Sequence, residues 1–172
     1  MGDDHVGWKE VSVLAEQKKK ANRNIAQNKK AWHDYFVDEK FEAGIELFGT
    51  EVKSLRLGAV NLKDSYCNFK NGEIFALGVH ISPYEKGNIF NREPLRPKKL
   101  LMHKKEIVRL ASKAAEKGFS VIPLSLYFSG SRVKMEIGLC RGKKLYDKRD
   151  DMAKAAAKRD IERAYKSGNQ EY

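Results

Sequence analysis

The chain has 172 residues, which indicates one domain with tails rather than two domains. Its 34 Lys and Arg residues outnumber 23 Asp and Glu residues, and the net charge of +11 favours a polyanionic partner such as nucleic acid. The longest apolar stretch, 74–79, is too short to span a membrane, and the two cysteines, Cys67 and Cys140, lack the spacing of a metal site and the density of a disulfide framework.

The first 27 residues are polar and charged, and they show little apolar periodicity beyond a short helix predicted over 11–20. We interpret residues 1–27 as a mobile leader that precedes the folded body. The first residues carry no secretory signal, so we expect a soluble protein of the cytoplasm.

Residues 34–48 contain the first predicted strand of the body. They are rich in aromatic and β-branched side chains, which predicts a long strand with a bend at Gly44. Gly49 and Thr50 then provide the start of a short helix, and Gly58 ends it.

A hairpin and a helix are predicted in the middle of the chain. Asn71-Gly72 separates two short strand-like segments, 65–70 and 73–77, and this dipeptide is the strongest short-range signal for a hairpin. Pro and Gly residues mark a long loop over 82–99. Apolar residues then recur at helical spacing over 103–117, before Gly118.

Two strands of alternating polarity follow, over 121–128 and 133–139, joined by a turn at 129–131. Five or six strands with one or two helices between them predict a mainly β fold, an OB-fold-like antiparallel barrel with short flanking helices. Closure into a barrel also removes exposed strand edges. We assign this body to residues 28–141.

Residues 142–172 form a basic C-terminal tail. Between Lys143 and Lys166 there are nine Lys and Arg and five Asp and Glu, many of them paired at i,i+4 in a sequence of strong helix formers. Only Met152 and Ile161 could anchor such a helix, and they do not share a face. The pattern predicts a helix that does not dock on its own protein and that forms when it binds a polyanion.

The sequence contains no catalytic signature. Its histidines are scattered, and it has no HExxH, Gly-x-Ser-x-Gly or phosphate-binding glycine loop. Glu39, Glu42 and Glu46 could serve as an acid/base pair, but a strand could equally place them on its outer face. We therefore predict a protein that is not an enzyme and has no catalytic residues, no cofactor and no metal.

One segment, 28–33, combines cations, an aromatic ring and hydrogen-bonding side chains, the mixture that RNA recognition uses. The same residues also fit a solvated start of a strand with Trp32 in the core. A second group of lysines surrounds 100–103, where the leucines could simply be core residues, and Lys134 lies on the polar face of the last strand.

In combination, an ordered series of motifs over about 28–163 resembles the small protein B (SmpB) family. The motifs are NKKAWHDY at 28–35, FEAGI at 41–45, GTEVKSLR at 49–56, NLKDSY at 61–66, HISPY at 80–84, KLLMH at 99–103, LSLY at 124–127 and GKKLYDKR at 142–149.

The resemblance implies an OB-fold barrel that binds transfer-messenger RNA (tmRNA). Such a protein delivers the tRNA-like domain of tmRNA to stalled bacterial ribosomes, and its tail occupies the empty mRNA path at the decoding centre of the small-subunit rRNA. This permits trans-translation and ribosome rescue. The alternative is a general OB-fold RNA-binding protein or a ribosome-associated structural protein.

The resemblance also implies two sets of site residues. The RNA-binding set is Asn28, Lys29, Lys30, His33, Glu42, Leu101, His103 and Lys134. The ribosome-binding tail set is Gly142, Lys143, Lys144, Tyr146, Asp147, Lys148 and Arg149.

Overall fold

The computed structural model describes residues 22–168. The helices in this part of the chain are α1 (Lys29–Asp34), α2 (Gly49–Arg56), α3 (Lys104–Ala114) and α4 (Leu145–Gly168), with a 3-10 turn at Asn88–Phe90. The strands are β1 (Asn22–Gln27), β2 (Tyr35–Ile45), β3 (Val60–Asn61), β4 (Tyr66–Lys70), β5 (Glu73–Leu77), β6 (His80–Ile81), β7 (Lys98–Leu101), β8 (Phe119–Ser129) and β9 (Arg132–Gly142).

Seven strands form one antiparallel sheet in the order β1-β8-β9-β2-β7-β5-β4, and β3 pairs with β6. The last strand of this order, β4, returns against β8 near the other end, so the sheet curls into a barrel. The predicted mainly β, OB-like barrel is therefore confirmed.

The alternation of β9 fills the barrel, because Val133, Met135, Ile137 and Leu139 all point into the core, as the sequence predicts. The other face of the β8–β9 hairpin is also buried at one end. There Ala31 of α1 packs with Ile122, Leu124 and Cys140. This second cluster fixes α1 against the barrel.

The predicted hairpin at Asn71-Gly72 is confirmed, and both residues have positive φ, 53° and 72°. The helix predicted over 103–117 is also present but shorter, because α3 ends at Ala114. The predicted cap of α2 is displaced. Phe48 is the N-cap, and its N–H donates to Glu51 Oε2 at 2.8 Å.

The predicted bend of β2 at Gly44 is wrong, since the irregularity lies between Val37 and Glu39. Gly44 serves a close approach instead. It pairs with β7 on one side and β9 on the other, and a Cβ there would lie 3.2 Å from Leu101 Cβ.

Strand β7 replaces the end of the loop predicted over 82–99. Its first residue, Lys98, is fully buried, and Lys98 Nζ donates to the carbonyls of Val79 (2.8 Å), Pro94 (3.0 Å) and Arg96 (3.1 Å). Burial lowers the Lys98 pKa to about 8. A lysine at the start of a strand thus becomes part of the core because three backbone oxygens surround its amine.

The predicted boundary between leader and body at residue 27 is wrong. Residues 22–27 form β1, an edge strand whose backbone pairs with β8. Backbone pairing does not require apolar side chains, so Arg23 and Asn24 are compatible with this strand. The helix predicted over 11–20 lies outside the described residues.

Helix α4 confirms that the tail sequence is helical, and Met152 and Ile161 are both exposed on it. No helix within residues 22–168 combines the length and the apolar composition needed to cross a membrane. In the same part of the chain, no group of three or more His, Cys, Asp or Glu residues is arranged to hold a metal ion.

Candidate nucleic-acid interface

The predicted RNA-binding residues fall into two groups, one at each end of β2. Asn28 to His33 precede Tyr35, where the strand begins, whereas Glu42 lies seven residues further along. At about 3.3 Å per residue, the strand separates the two groups by roughly 20 Å. We call them the α1 surface and the distal groove.

The distal groove forms where β2, β7 and β9 meet the start of α3. Its lining includes Glu42, Leu101, Met102, His103, Arg132 and Lys134. The structure therefore brings together four predicted residues that are separated by up to 92 positions in the chain. Arg132 was not predicted, although it lies two residues before Lys134 on the polar face of β9.

Glu42 organises the charges of the distal groove. It accepts hydrogen bonds from Lys134 Nζ and from the Tyr127 hydroxyl. The bond from Lys134, followed by that from Tyr127, holds the pKa of Glu42 below its usual range. Burial and the adjacent Glu42 carboxylate raise the pKa of Tyr127, so its hydroxyl stays a donor. Glu42 thus fixes the Lys134 ammonium at the edge of the groove, and half of its own side chain stays exposed.

Leu101 and His103 give the groove an apolar patch beside its cations. Leu101 is 53% exposed, although its neighbour Leu100 is buried in the barrel. The exposed His103 is the N-cap of α3, and its N–H donates to Glu106 Oε2 at 3.3 Å. Cations beside apolar and imidazole groups can bind phosphates and contact sugars or bases at the same time.

Asn28 is buried beneath the α1 surface. Its Oδ1 accepts from the Ala31 N–H at 3.1 Å, and its Nδ2 donates to the carbonyls of Leu62 and Pro123, each at 3.0 Å. The side chain therefore caps α1 and ties it to two distant segments. Direct RNA contact by Asn28 is not supported, because its amide is already committed within the protein.

We expect Asn28→Ala to lower the free energy of unfolding by about 2–4 kcal/mol, because it removes an N-cap and buried hydrogen bonds. Urea unfolding measures this change. Asn61→Ala is the matched control, since the Asn61 side chain also bonds a backbone N–H, that of Lys63, but at an exposed site. Equal destabilisation by both variants would contradict the capping role.

The α1 surface itself carries two lysines and two rings. Lys29 is exposed, and Lys30 forms an ion pair with Asp64 that raises the Lys30 pKa. Trp32 is 43% exposed with Lys40 Nζ 4.6 Å from its ring centroid, so its interpretation as a core residue is wrong. The exposed His33 ring lies 2.8 Å from Asp34 through its Nδ1.

Residues 143–151, which we call the tail root, are docked on α1. Lys143 is nearly buried. Its Nζ donates to the Trp32 carbonyl at 3.0 Å and to Asp151 at 2.5 Å. Lys148 Nζ lies 3.0 Å from Asp34 Oδ1, and His33, followed by Lys148, holds the Asp34 pKa below its usual range. The prediction that the tail does not dock is therefore wrong for its root, because ion pairs and backbone oxygens replace an apolar anchor.

The other predicted tail residues form the junction between β9 and α4 or have exposed side chains. Gly142 ends β9 opposite Tyr35, and Asp147 begins the helix by accepting the Lys144 N–H at 3.1 Å. Lys144 and Arg149 have exposed side chains. The side chain of Tyr146 lies outside the described part of the structure.

A small antiparallel barrel with cations beside aromatic side chains at one end of a strand, and beside apolar and imidazole groups at the other, has the features of an OB-like RNA-binding protein. The model of the family described as "SmpB protein" matches residues 25–167, and the chain belongs to this family.

Two relatives and one solved structure illustrate the similarity. The chain is 58% identical to an SsrA-binding protein of Clostridium kluyveri over 153 residues, 89% of this chain and 98% of that relative. It is 59% identical to an SsrA-binding protein of Carboxydothermus hydrogenoformans over 143 residues, 83% and 96% of the two chains. A solved chain from the work "tmRNA-SmpB: a journey to the center of the bacterial ribosome" superposes with a TM-score of 0.61 at 46% identity, covering 70% of this chain and 85% of that one.

Proposed function

We propose that this protein binds tmRNA and accompanies its tRNA-like domain to stalled ribosomes, where it supports trans-translation. The observation that carries this function is the distal groove, in which Glu42, Leu101, His103 and Lys134 converge on a rigid barrel. The SsrA-binding relatives and the tmRNA-SmpB structure supply the identity of the RNA. The function is one of binding, without a reaction of its own, and it takes place in the cytoplasm.

The two surfaces have different partners in this proposal. The distal groove receives the tRNA-like domain. The α1 surface faces the ribosome instead, because Lys143 and Lys148 tie the tail root to Trp32 and Asp34. If the tail follows the mRNA path, α1 must lie at its entrance. Lys29, Lys30 and His33 are therefore assigned to the ribosomal side rather than to the tRNA-like domain.

A chain that ends at Lys144 should keep salt-sensitive binding to a purified tRNA-like RNA. This truncation removes α4 but retains β9 and the contact of Lys143 with the Trp32 carbonyl. Filter binding over a range of salt concentrations measures the result. Adding Lys134→Ala to the truncated chain should lower the salt slope by about one unit, because one phosphate contact is lost. Loss of binding on truncation alone would show that the barrel is not the main RNA site.

The rival function is general binding of single-stranded RNA by the barrel. A pull-down from a bacterial lysate followed by RNA sequencing distinguishes it from tmRNA binding. One structured RNA species supports the tmRNA function. A mixture of rRNA and mRNA fragments supports the rival.

A further inference from the structure

A third cluster of rings and cations lies outside the α1 surface and the distal groove. It is a groove of about 360 Å³ between the first turn of α2 and residues 84–92, which we call the aromatic groove. Its rings are Phe48, Tyr84 and Phe90, and its cations are Lys53, Lys86 and Arg92. This volume falls within the range of small-molecule sites.

Phe48 and Phe90 of the aromatic groove are exposed and Tyr84 is half-buried, although the backbone that carries them is fixed. Phe90 is 72% exposed, yet its carbonyl accepts from Thr50 Oγ1 at 3.1 Å. The Asn91 side chain accepts from the Tyr84 N–H at 3.0 Å and donates to the Tyr84 carbonyl at 2.9 Å. A Cβ on Gly87 would lie 2.4 Å from Asn91 Oδ1, so glycine is needed for the two hydrogen bonds between Asn91 and Tyr84. Exposed rings on a fixed loop indicate a binding surface.

The cations of the groove have charge left for a ligand. The Arg92 guanidinium lies 4.3 Å from the Phe48 ring centroid, and Lys53 Nζ lies 5.4 Å from that of Tyr84. Within residues 22–168, neither cation has an acidic partner. Arg96 differs, because it contacts Phe48 at 4.8 Å but is paired with Glu51. Arg96 therefore holds the Phe48 ring, while Arg92 and Lys53 remain available.

We propose that the aromatic groove binds an unpaired nucleotide of a structured RNA, with its base stacked on an exposed ring and its phosphates held by Arg92 and Lys53. Single-stranded RNA is recognised by this combination of rings and cations. An apolar protein segment fits less well, because it would desolvate cations without supplying a counter-charge. The groove would be an RNA contact additional to the tRNA-like domain and the mRNA path.

The test is an NMR titration of the full chain, carrying ¹³C-labelled phenylalanine rings, with a single-stranded heptanucleotide of adenosine. Stacking should move the Phe48 and Phe90 ring-proton signals, and the site affinity is read from Phe48. Phe90→Ala and Arg92→Gln should each weaken this affinity about fivefold or more, because the first removes a stacking ring and the second a phosphate contact. Ile89→Ala is the matched control. Ile89 is 88% exposed in the same turn but has no ring, so its affinity should stay unchanged.

Three results would overturn the proposal. The Phe48 and Phe90 signals could stay still while fluorescence anisotropy shows that the oligonucleotide is bound, which places the RNA elsewhere. Ile89→Ala could weaken binding as much as Phe90→Ala, which would show that apolar contact in general, rather than stacking on a ring, holds the oligonucleotide. Inorganic tripolyphosphate could cause the same shifts, which leaves only phosphate binding. None of these results affects the distal groove, because that groove is tested with the tRNA-like RNA.

Discussion

Replacing Asp147, Lys148 and Arg149 together with alanine should leave affinity for the tRNA-like RNA nearly intact and should stop the tagging of stalled nascent chains. Asp147 caps the start of α4, and Lys148 holds the tail root on Asp34, whereas Arg149 is exposed. The triple variant therefore loses the cap at the start of the helix, one of the contacts that dock the tail root, and one exposed cation. Ordering the tail costs roughly 1–2 kcal/mol of backbone entropy per residue. Contacts of the tail offset this cost on the ribosome, and the triple variant loses several of them.

The measurement is alanine transfer in a reconstituted stalled-ribosome assay, run beside RNA binding on the same protein. The matched control replaces Arg56, Lys70 and Glu85, which are exposed outside the tail and carry the same set of charges. The control should transfer alanine normally. Normal transfer by the tail variant as well would refute the tail mechanism.

Glu42→Ala should weaken binding of the tRNA-like RNA by about 1–3 kcal/mol, roughly 5- to 150-fold, as expected when a charged hydrogen-bond partner is lost. Glu42 is half exposed and can accept a bond from RNA. It also restrains Lys134 and Tyr127, so its removal frees the ammonium that the groove presents. Both effects weaken RNA binding, whereas the removal of a negative charge would by itself strengthen it.

Glu136→Ala provides the control for charge alone. Glu136 lies directly opposite Glu42 in the sheet and bonds Ser125 and Lys40 rather than Lys134. Its replacement removes the same charge from the neighbouring strand, so binding should stay equal or become slightly tighter. If Glu42→Ala behaved in the same way, Glu42 would be an ordinary solvated carboxylate.

The elements that the sequence predicts well are those whose signal lies in neighbouring residues. The alternation over 133–139 identifies the buried face of β9, and Asn71-Gly72 identifies the β4–β5 hairpin, because period and turn geometry are local properties. The distal groove is different. Glu42, Leu101, His103 and Lys134 could be grouped only through the family resemblance, since three strands and a helix start meet to form it.

The errors arise where distant backbone groups satisfy a polar side chain. Lys98 reads as a loop cation, but three carbonyls up to 19 residues away surround its amine. Asn28 reads as a polar group for RNA, but Leu62 and Pro123 accept both of its N–H groups. Lys143 reads as a tail cation, but the Trp32 carbonyl holds it. Hydropathy patterns contain no information about such partners, because the fold alone brings them into reach.

Strand β2 sets the distance between the distal groove and the α1 surface. The distal groove and the α1 surface lie at the two ends of one strand that pairs with β9 from Tyr35 to Gly44, with a single irregularity between Val37 and Glu39, so hydrogen bonds of the sheet hold their spacing. Whatever RNAs bind at the two ends are thereby held at a span set by covalent geometry. Lengthening β2 and β9 by two residues each would preserve every side-chain direction and move the two ends apart by about 7 Å. Such a variant would bind each RNA separately as before. It would no longer bind both RNAs at once, because its two surfaces would be too far apart.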